Sequence, residues 1–265
     1  MPRVSGEAFF VPGPDGRWRP TGHVAGPWDP ASQHAGPPAA LVARELERCE
    51  PREDMAIGRL TCEILGPVPV DAELEVAARV VRPGRSVELL EAELSAGGRP
   101  TMRASAWRLL RSAASAGTAG RPPPPALPDT EATIPAGWNP GGYLAAVEWR
   151  FARGDWGVPG PAAVWTRLRV GIVEGEAPSP LQRVLAIADS GNGVSAELDM
   201  ARWWFINPEL TLHVLRPSRG EWICLDAASS LQEGGLGAAF SVLSDEDGPV
   251  ARGAQTLLVA PRPAV

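Results

Sequence analysis

The chain has 265 residues, 44% of them hydrophobic, enough to bury one large core or two of about 120 residues each. A net charge of -6 leaves no electrostatic footprint for nucleic acid or an anionic membrane surface. All 25 basic residues are arginines, which excludes lysine-based Schiff-base and P-loop chemistry and leaves any ligand phosphate to Arg or to backbone N–H groups. The three cysteines, Cys49, Cys62 and Cys224, are odd in number and lack CxxC spacing, which argues against a disulfide scaffold or a Cys-based zinc site. The stretch MPRVSGEAFF has no apolar core of a signal segment, and no run approaches the roughly 18 apolar residues of a membrane span. A cytoplasmic protein without membrane or nucleic-acid partners is expected.

In chain order, residues 1–20 read as two short strands around the turn PGPDG, followed by an irregular segment, GPWDPASQHAGPP. Pro37 and Pro38 open an amphipathic helix, AALVARELER, whose apolar Ala40, Leu41 and Leu46 oppose Arg44, Glu47 and Arg48. Four strand-like runs follow: IGRLTCEIL, AELEVAARVV, SVELLEAEL and RPTMRASAWRLL. Residues 112–142 have the Ala/Gly/Ser/Pro composition of a linker, which divides the chain into units at 1–111 and 143–265. Strand-like runs return near residues 144–151 and 163–170. A second helix then begins at Ser179, a suitable N-cap, with Pro180 at its first position and Gly191 and Gly193 able to weaken or stop it. Four more strand-like runs close the chain: PELTLHVL, EWICLDAA, LGAAFSVL and PVARGAQTLLVA.

A helix followed by four strands thus occurs twice. Leu60-Thr61 and Leu65-x-Pro67 recur 150 positions later as Leu210-Thr211 and Leu215-x-Pro217, and at the same interval Gly98 recurs as Gly248 and Ala104 as Ala254. This predicts an internally duplicated α+β fold in which each antiparallel sheet wraps around a helix, and in which pairing of the two sheets into a continuous one would remove an exposed edge from each.

The familiar catalytic motifs are missing: no GxSxG, HExxH, GxGxxG or GxxxxGK[ST] occurs. Cys62, Cys224 and His213 fall inside predicted strands and read as packing residues. Asp189 is more informative. It follows Leu181 and Leu185 at helical spacing and therefore sits on the apolar stripe of the second helix, unless it merely ends that helix ahead of Ser190 and Gly191. Gln255 shares its strand face with Ala251, Gly253, Leu257 and Val259 and projects toward the core, where an unpaired amide is costly. Asn207 has the parity of Glu209, Thr211 and His213, the more polar face, and reaches the inside only if it precedes the regular strand or if Pro208 introduces a bulge. Trp138, Trp156, Trp203 and Trp204 fall in or beside loops and could line an acyl tunnel, although core packing is the commoner reason for Trp.

The stretches LAIADSGNGVS, WWFINPELTLHVLRPSRGEW and GPVARGAQTLLV resemble the C-terminal half of a double-hotdog acyl-CoA thioesterase of the bacterial thioesterase II type. QHAGPPAALVARELE and the strands after it resemble the family's first half. The resemblance implies a tandem hotdog, with two antiparallel sheets each wrapped around a long helix, and hydrolysis of acyl-CoA or acyl-carrier-protein thioesters without cofactor or metal. It implies at least a dimer. Matched residue by residue, the family's water-holding Asp, Thr or Asn, and Gln fall on Asp189, Asn207 and Gln255. Backbone N–H groups around Ala35 and Gly36, at a helix start, are candidates to polarise the thioester carbonyl, with His34 beside them either orienting the acyl group or capping the helix. A hotdog hydratase or dehydratase, which needs a His–acid pair, and a non-catalytic acyl-thioester binder remain as alternatives.

Overall fold

The computed structural model describes residues 7–112, 123–136, 138 and 141–262. The first half contains β1 (Ala8–Pro12), β2 (Trp18–Pro20), α1 (Gly36–Arg48), β3 (Met55–Ile64), β4 (Leu74–Arg82), β5 (Val87–Ala96) and β6 (Arg99–Leu110). The second contains α2 (Gly142–Ala146), β7 (Val147–Arg153), β8 (Ala162–Leu168), β9 (Gly171–Val173), α3 (Pro180–Ala188), α4 (Gly191–Val194), β10 (Trp203–Ile206), β11 (Glu209–Val214), β12 (Ile223–Leu231), β13 (Leu236–Asp245) and β14 (Gly248–Pro261). Part of the expected linker, 113–122, together with 137, 139 and 140, lies outside the described residues. Its later portion lies along β7 and β8: Ala132 N–H donates to Trp149 C=O, and Trp165 Nε1 donates to Pro125 C=O.

The expected two sheets are joined edge to edge rather than separate. All fourteen strands among the described residues belong to one hydrogen-bonded sheet, ordered β7-β8-β12-β13-β14-β11-β3-β6-β5-β4-β2-β1-β9, with β10 paired to the end of β14. The halves join where β3 meets β11, and Thr61 stands directly opposite Thr211 with their hydroxyls 3.1 Å apart. Around that pair Leu60 faces Leu212 and Cys62 faces Leu210, so the 150-residue interval read from the sequence marks a pseudo-two-fold axis. From β4 onward the structural interval is 149. The turn pairs Ala96↔Arg99 and Asp245↔Gly248 correspond, as do the bulges at Leu94/Ser95 and Leu243/Ser244. Gly98/Gly248 and Ala104/Ala254 are therefore one residue out of structural register, because the connection before β12 is one residue shorter than that before β4.

β9 pairs in parallel with β1 at one edge of the sheet, yet only Arg169 and Val170 separate it from β8, next to the other edge. Three peptide steps span at most about 11 Å, so the sheet must curl until its edges nearly meet. This reduces exposed strand edges. Inside the curl α1 packs on α3, on β4 and on β5, while α4 packs on β12 and β13. The core follows, with Leu41, Leu46, Leu60, Leu74, Leu90, Leu185 and Leu212 fully buried.

The expected polar face of α1 also needs correction. Arg44 is only 5% exposed; its guanidinium forms a two-point bond with Glu176, contacts Glu45 and lies 4.6 Å over the Trp18 ring. An always-charged planar group can be buried when carboxylates and an aromatic face surround it. His213 is exposed on the outer face opposite Arg59 and Arg252, whereas Cys62 and Cys224 are buried as expected.

Candidate active site

The second helix is shorter than the expected long one. Ser179 forms a capping box with Gln182, Pro180 takes the first position, and the helix ends at Asp189, which is its C-cap and also 5% exposed. Both readings of Asp189 thus hold at once. The chain restarts as α4 at Gly191, and a Cβ built on Gly191 would stand 2.7 Å from Gln255 Oε1. Glycine there lets the amide reach the backbone. Gln255, 3% exposed on the inward face of β14, accepts at Oε1 from Asn192 N–H (3.1 Å), and its Nε2 donates to Asp189 C=O (3.1 Å). The Nε2 to Asp189 Oδ1 distance is 3.5 Å, so Gln255 holds the backbone of Asp189 more tightly than its carboxylate.

Asn207 reaches the same carboxylate through a break in the ladder. Between Ile206, opposite Leu258, and Thr211, opposite Ala254, four residues on one strand face three on the other. Pro208 lies in that slip and has no N–H to give the ladder. Asn207 turns inward, and its Nδ2 donates to Asp189 Oδ1 at 2.8 Å and to Glu209 C=O at 3.2 Å.

The first half supplies the opposite wall. A Cβ on Gly36 would stand 2.3 Å from Ala186 C=O, so the start of α1 meets α3 at a point where only glycine fits. Pro37 and Pro38 remove two of the helix-start donors. Gly36 N–H donates to His34 Nδ1 at 3.1 Å, while Ala35 N–H, on the cavity wall, has no partner among the described residues. His34 Nδ1 also lies 3.2 Å from Asp189 Oδ2. Burial pulls the imidazole below its ordinary range, and the Asp189 charge opposes this more weakly.

Sequence reasoning missed two residues. Tyr143, the chain's single tyrosine, stacks on His34 with ring centres 3.7 Å apart and donates its hydroxyl to Ala186 C=O (2.8 Å), with Ser190 Oγ at 2.9 Å. Burial pushes its phenol far up, so it stays neutral. Asn192, 3% exposed, donates from Nδ2 to Phe205 C=O. The cavity beside Asp189 measures about 450 Å³ and is lined by Trp28, Trp138, Trp149, Trp156 and Trp204 among others. Trp204 lies in a strand, β10, rather than a loop, and Trp203 is not among the lining residues. Among the described residues no group of His, Cys, Asp and Glu is placed to hold a metal ion, and no helix is long and apolar enough to cross a membrane.

A curled sheet around paired helices, with a carboxylate and amides beside a largely apolar cavity, defines a hotdog-type protein. The chain belongs to the acyl-CoA thioesterase family: residues 24–109 match its N-terminal domain and residues 119–259 its C-terminal domain. It is a thioester hydrolase of that family. Among solved structures, it is similar to a hot dog fold protein of unknown function from Alicyclobacillus acidocaldarius (TM-score 0.73, 18% identity, covering 95% of each chain). It is also similar to acyl-CoA thioesterase II TesB2 of Mycobacterium marinum (TM-score 0.66, 14% identity, 88% of this chain and 92% of that one). A third is the tesB protein of Mycobacterium avium subs paratuberculosis (TM-score 0.65, 13% identity, 98% and 96%). At these identities the likeness establishes the fold. Comparison with curated protein sequences returns no match.

Proposed function

We propose that the chain hydrolyses acyl-CoA thioesters with Asp189 as general base and Asn207 and Gln255 as the groups that hold it and the attacking water. One observation carries this reading: a buried carboxylate whose Oδ1 accepts the Asn207 amide stands on the wall of a largely apolar cavity. A carboxylate kept out of water normally has donors or a task, and here it has both. Asp189 takes a proton from water as the oxygen attacks the thioester carbonyl carbon. Ala35 N–H, without a partner and on the cavity wall, is suited to bond the developing oxyanion. The C–S bond then breaks, and the thiolate leaves with the proton that Asp189 received, giving a free acid and a thiol. Replacement of Asp189 by Asn is expected to lower thiol release from acyl-CoA by about 100- to 10,000-fold. Unchanged turnover would end this reading.

The same observations bear on the alternatives. His34 meets Asp189 at 3.2 Å, the His–acid contact that hydration of an enoyl thioester requires. Incubation with an enoyl-CoA separates the two: loss of the double bond without thiol release favours the hydratase. Binding of acyl-CoA with neither outcome favours a non-catalytic binder. The three free thiols fit a reducing cytoplasm. The reading also takes the chain as two units, 1–111 and 143–265, joined by 112–142 and assembling further as a homo-oligomer.

A further inference from the structure

His34 Nδ1 stands within hydrogen-bond distance of two groups that make opposite demands on it. Gly36 N–H at 3.1 Å requires a lone pair there; the Asp189 carboxylate oxygen at 3.2 Å requires a proton. A neutral imidazole carries one N–H, so a single tautomer can satisfy only one of them. The imidazole is kept neutral because it is buried and clamped flat on Tyr143. Two titratable side chains that feel the Asp189 charge, the Tyr143 phenol and the Cys62 thiol, are both held protonated by burial and carry no charge of their own.

We propose that His34 works as its Nδ1–H tautomer, donating to Asp189 Oδ2 and giving up the lone pair that Gly36 N–H would otherwise take. The bond to the carboxylate is charge-assisted and outweighs the neutral Gly36 N–H contact that it displaces; in the other tautomer the carboxylate oxygen faces a lone pair, which repels it. His34 is a positioning residue: it takes no proton from water and acts through the Asp189 carboxylate that it holds. The Asp189 carboxylate, fixed at Oδ1 by Asn207 and at Oδ2 by His34, keeps the orientation that the reaction needs. This inference rests on the hydrolytic reading of Asp189, but its first test does not depend on turnover.

The test is nitrogen NMR of the 15N-histidine-labelled protein at neutral pH. With three histidines in the chain, the His34 signals are assigned by their loss in His34→Asn. A protonated Nδ1 and an unprotonated Nε2 are expected; the reverse tautomer overturns the proposal. Kinetics provide the second arm. The Asn amide can stand where Nδ1–H stands, so His34→Asn is expected to keep kcat within about 5-fold. His34→Phe retains the ring stack without a donor and is expected to lose about 100-fold in kcat with KM little changed. Equal losses in the two variants, or a His34→Phe enzyme as fast as the unmodified one, overturn the proposal. If Asp189→Asn keeps full thioesterase activity while the tautomer is as expected, the hydrolytic reading fails and the tautomer assignment stands.

Discussion

Gln255 links three pieces of backbone that the sequence keeps far apart. Its Oε1 takes the N–H of Asn192 at the start of α4, and its Nε2 gives to the carbonyl of Asp189 at the end of α3, so the break between the two helices is bridged from β14. Replacing it by Leu leaves a buried N–H and a buried C=O without partners. A loss of about 1–3 kcal/mol of stability is expected in urea denaturation. A fall in kcat of about 100-fold is expected in the thiol-release assay, because the Asp189 backbone is no longer held. Preserved stability with lost activity would instead assign Gln255 to the chemistry alone. The inward face of Gln255 was legible in the strand alternation. Asn207 was not, because a one-residue slip reverses the face of everything beyond it, and only the partner strand shows where the slip falls. Tyr143 was hidden by its setting in a Gly/Pro-rich segment. Asn192 was hidden within SGNG, which reads as a turn but folds as a helix start.

At the scale of elements, α1 and α3 meet through Gly36. In Gly36→Ala the new methyl would stand 2.3 Å from a backbone carbonyl oxygen of α3, which has no flexible side chain to swing away. One helix must shift, and over-packing of this kind destabilises by about 1–3 kcal/mol. A fall in Tm accompanied by a loss of thioesterase activity is expected, since the shift separates His34 from Asp189. A variant with unchanged Tm and unchanged activity would mean that the helices can slide apart without consequence. Both helices were readable from the prolines that open them and from their apolar stripes, as were the eight long strands. The three-residue β9 was not, since so short a strand is defined by its partner β1 rather than by its own pattern. The burial of Arg44 also escaped the pattern, because an arginine at helical spacing gives no sign of the distant Glu176 that receives it.

At the scale of the molecule, the 150-residue recurrence predicted the duplication, and one of the recurrent pairs, Thr61 and Thr211, stands on its axis. The join of both halves into one curled sheet depends on β3 meeting β11 and β9 crossing to the far edge, and these pairings have no local signature. The duplication also explains why a fold built twice need not work twice. By the structural intervals, the position of Asn207 corresponds to Ile57 in the first half and that of Gln255 to Ala106, neither able to donate a side-chain hydrogen bond. A second hollow of about 710 Å³ lies there, where Ile57, Val214 and Pro217 take the places of Asn207, Ile64 and Pro67. Calorimetry with a non-hydrolysable thioether analogue of an acyl-CoA is therefore expected to count one ligand per chain; a count of two would mean that the second hollow still admits the substrate. On the proposed mechanism the first copy still matters, because His34 and Ala35 stand at the cavity beside Asp189. Each half expressed alone is then expected to release no thiol, so the two copies would be kept or lost together even though only one of the two possible workshops is open.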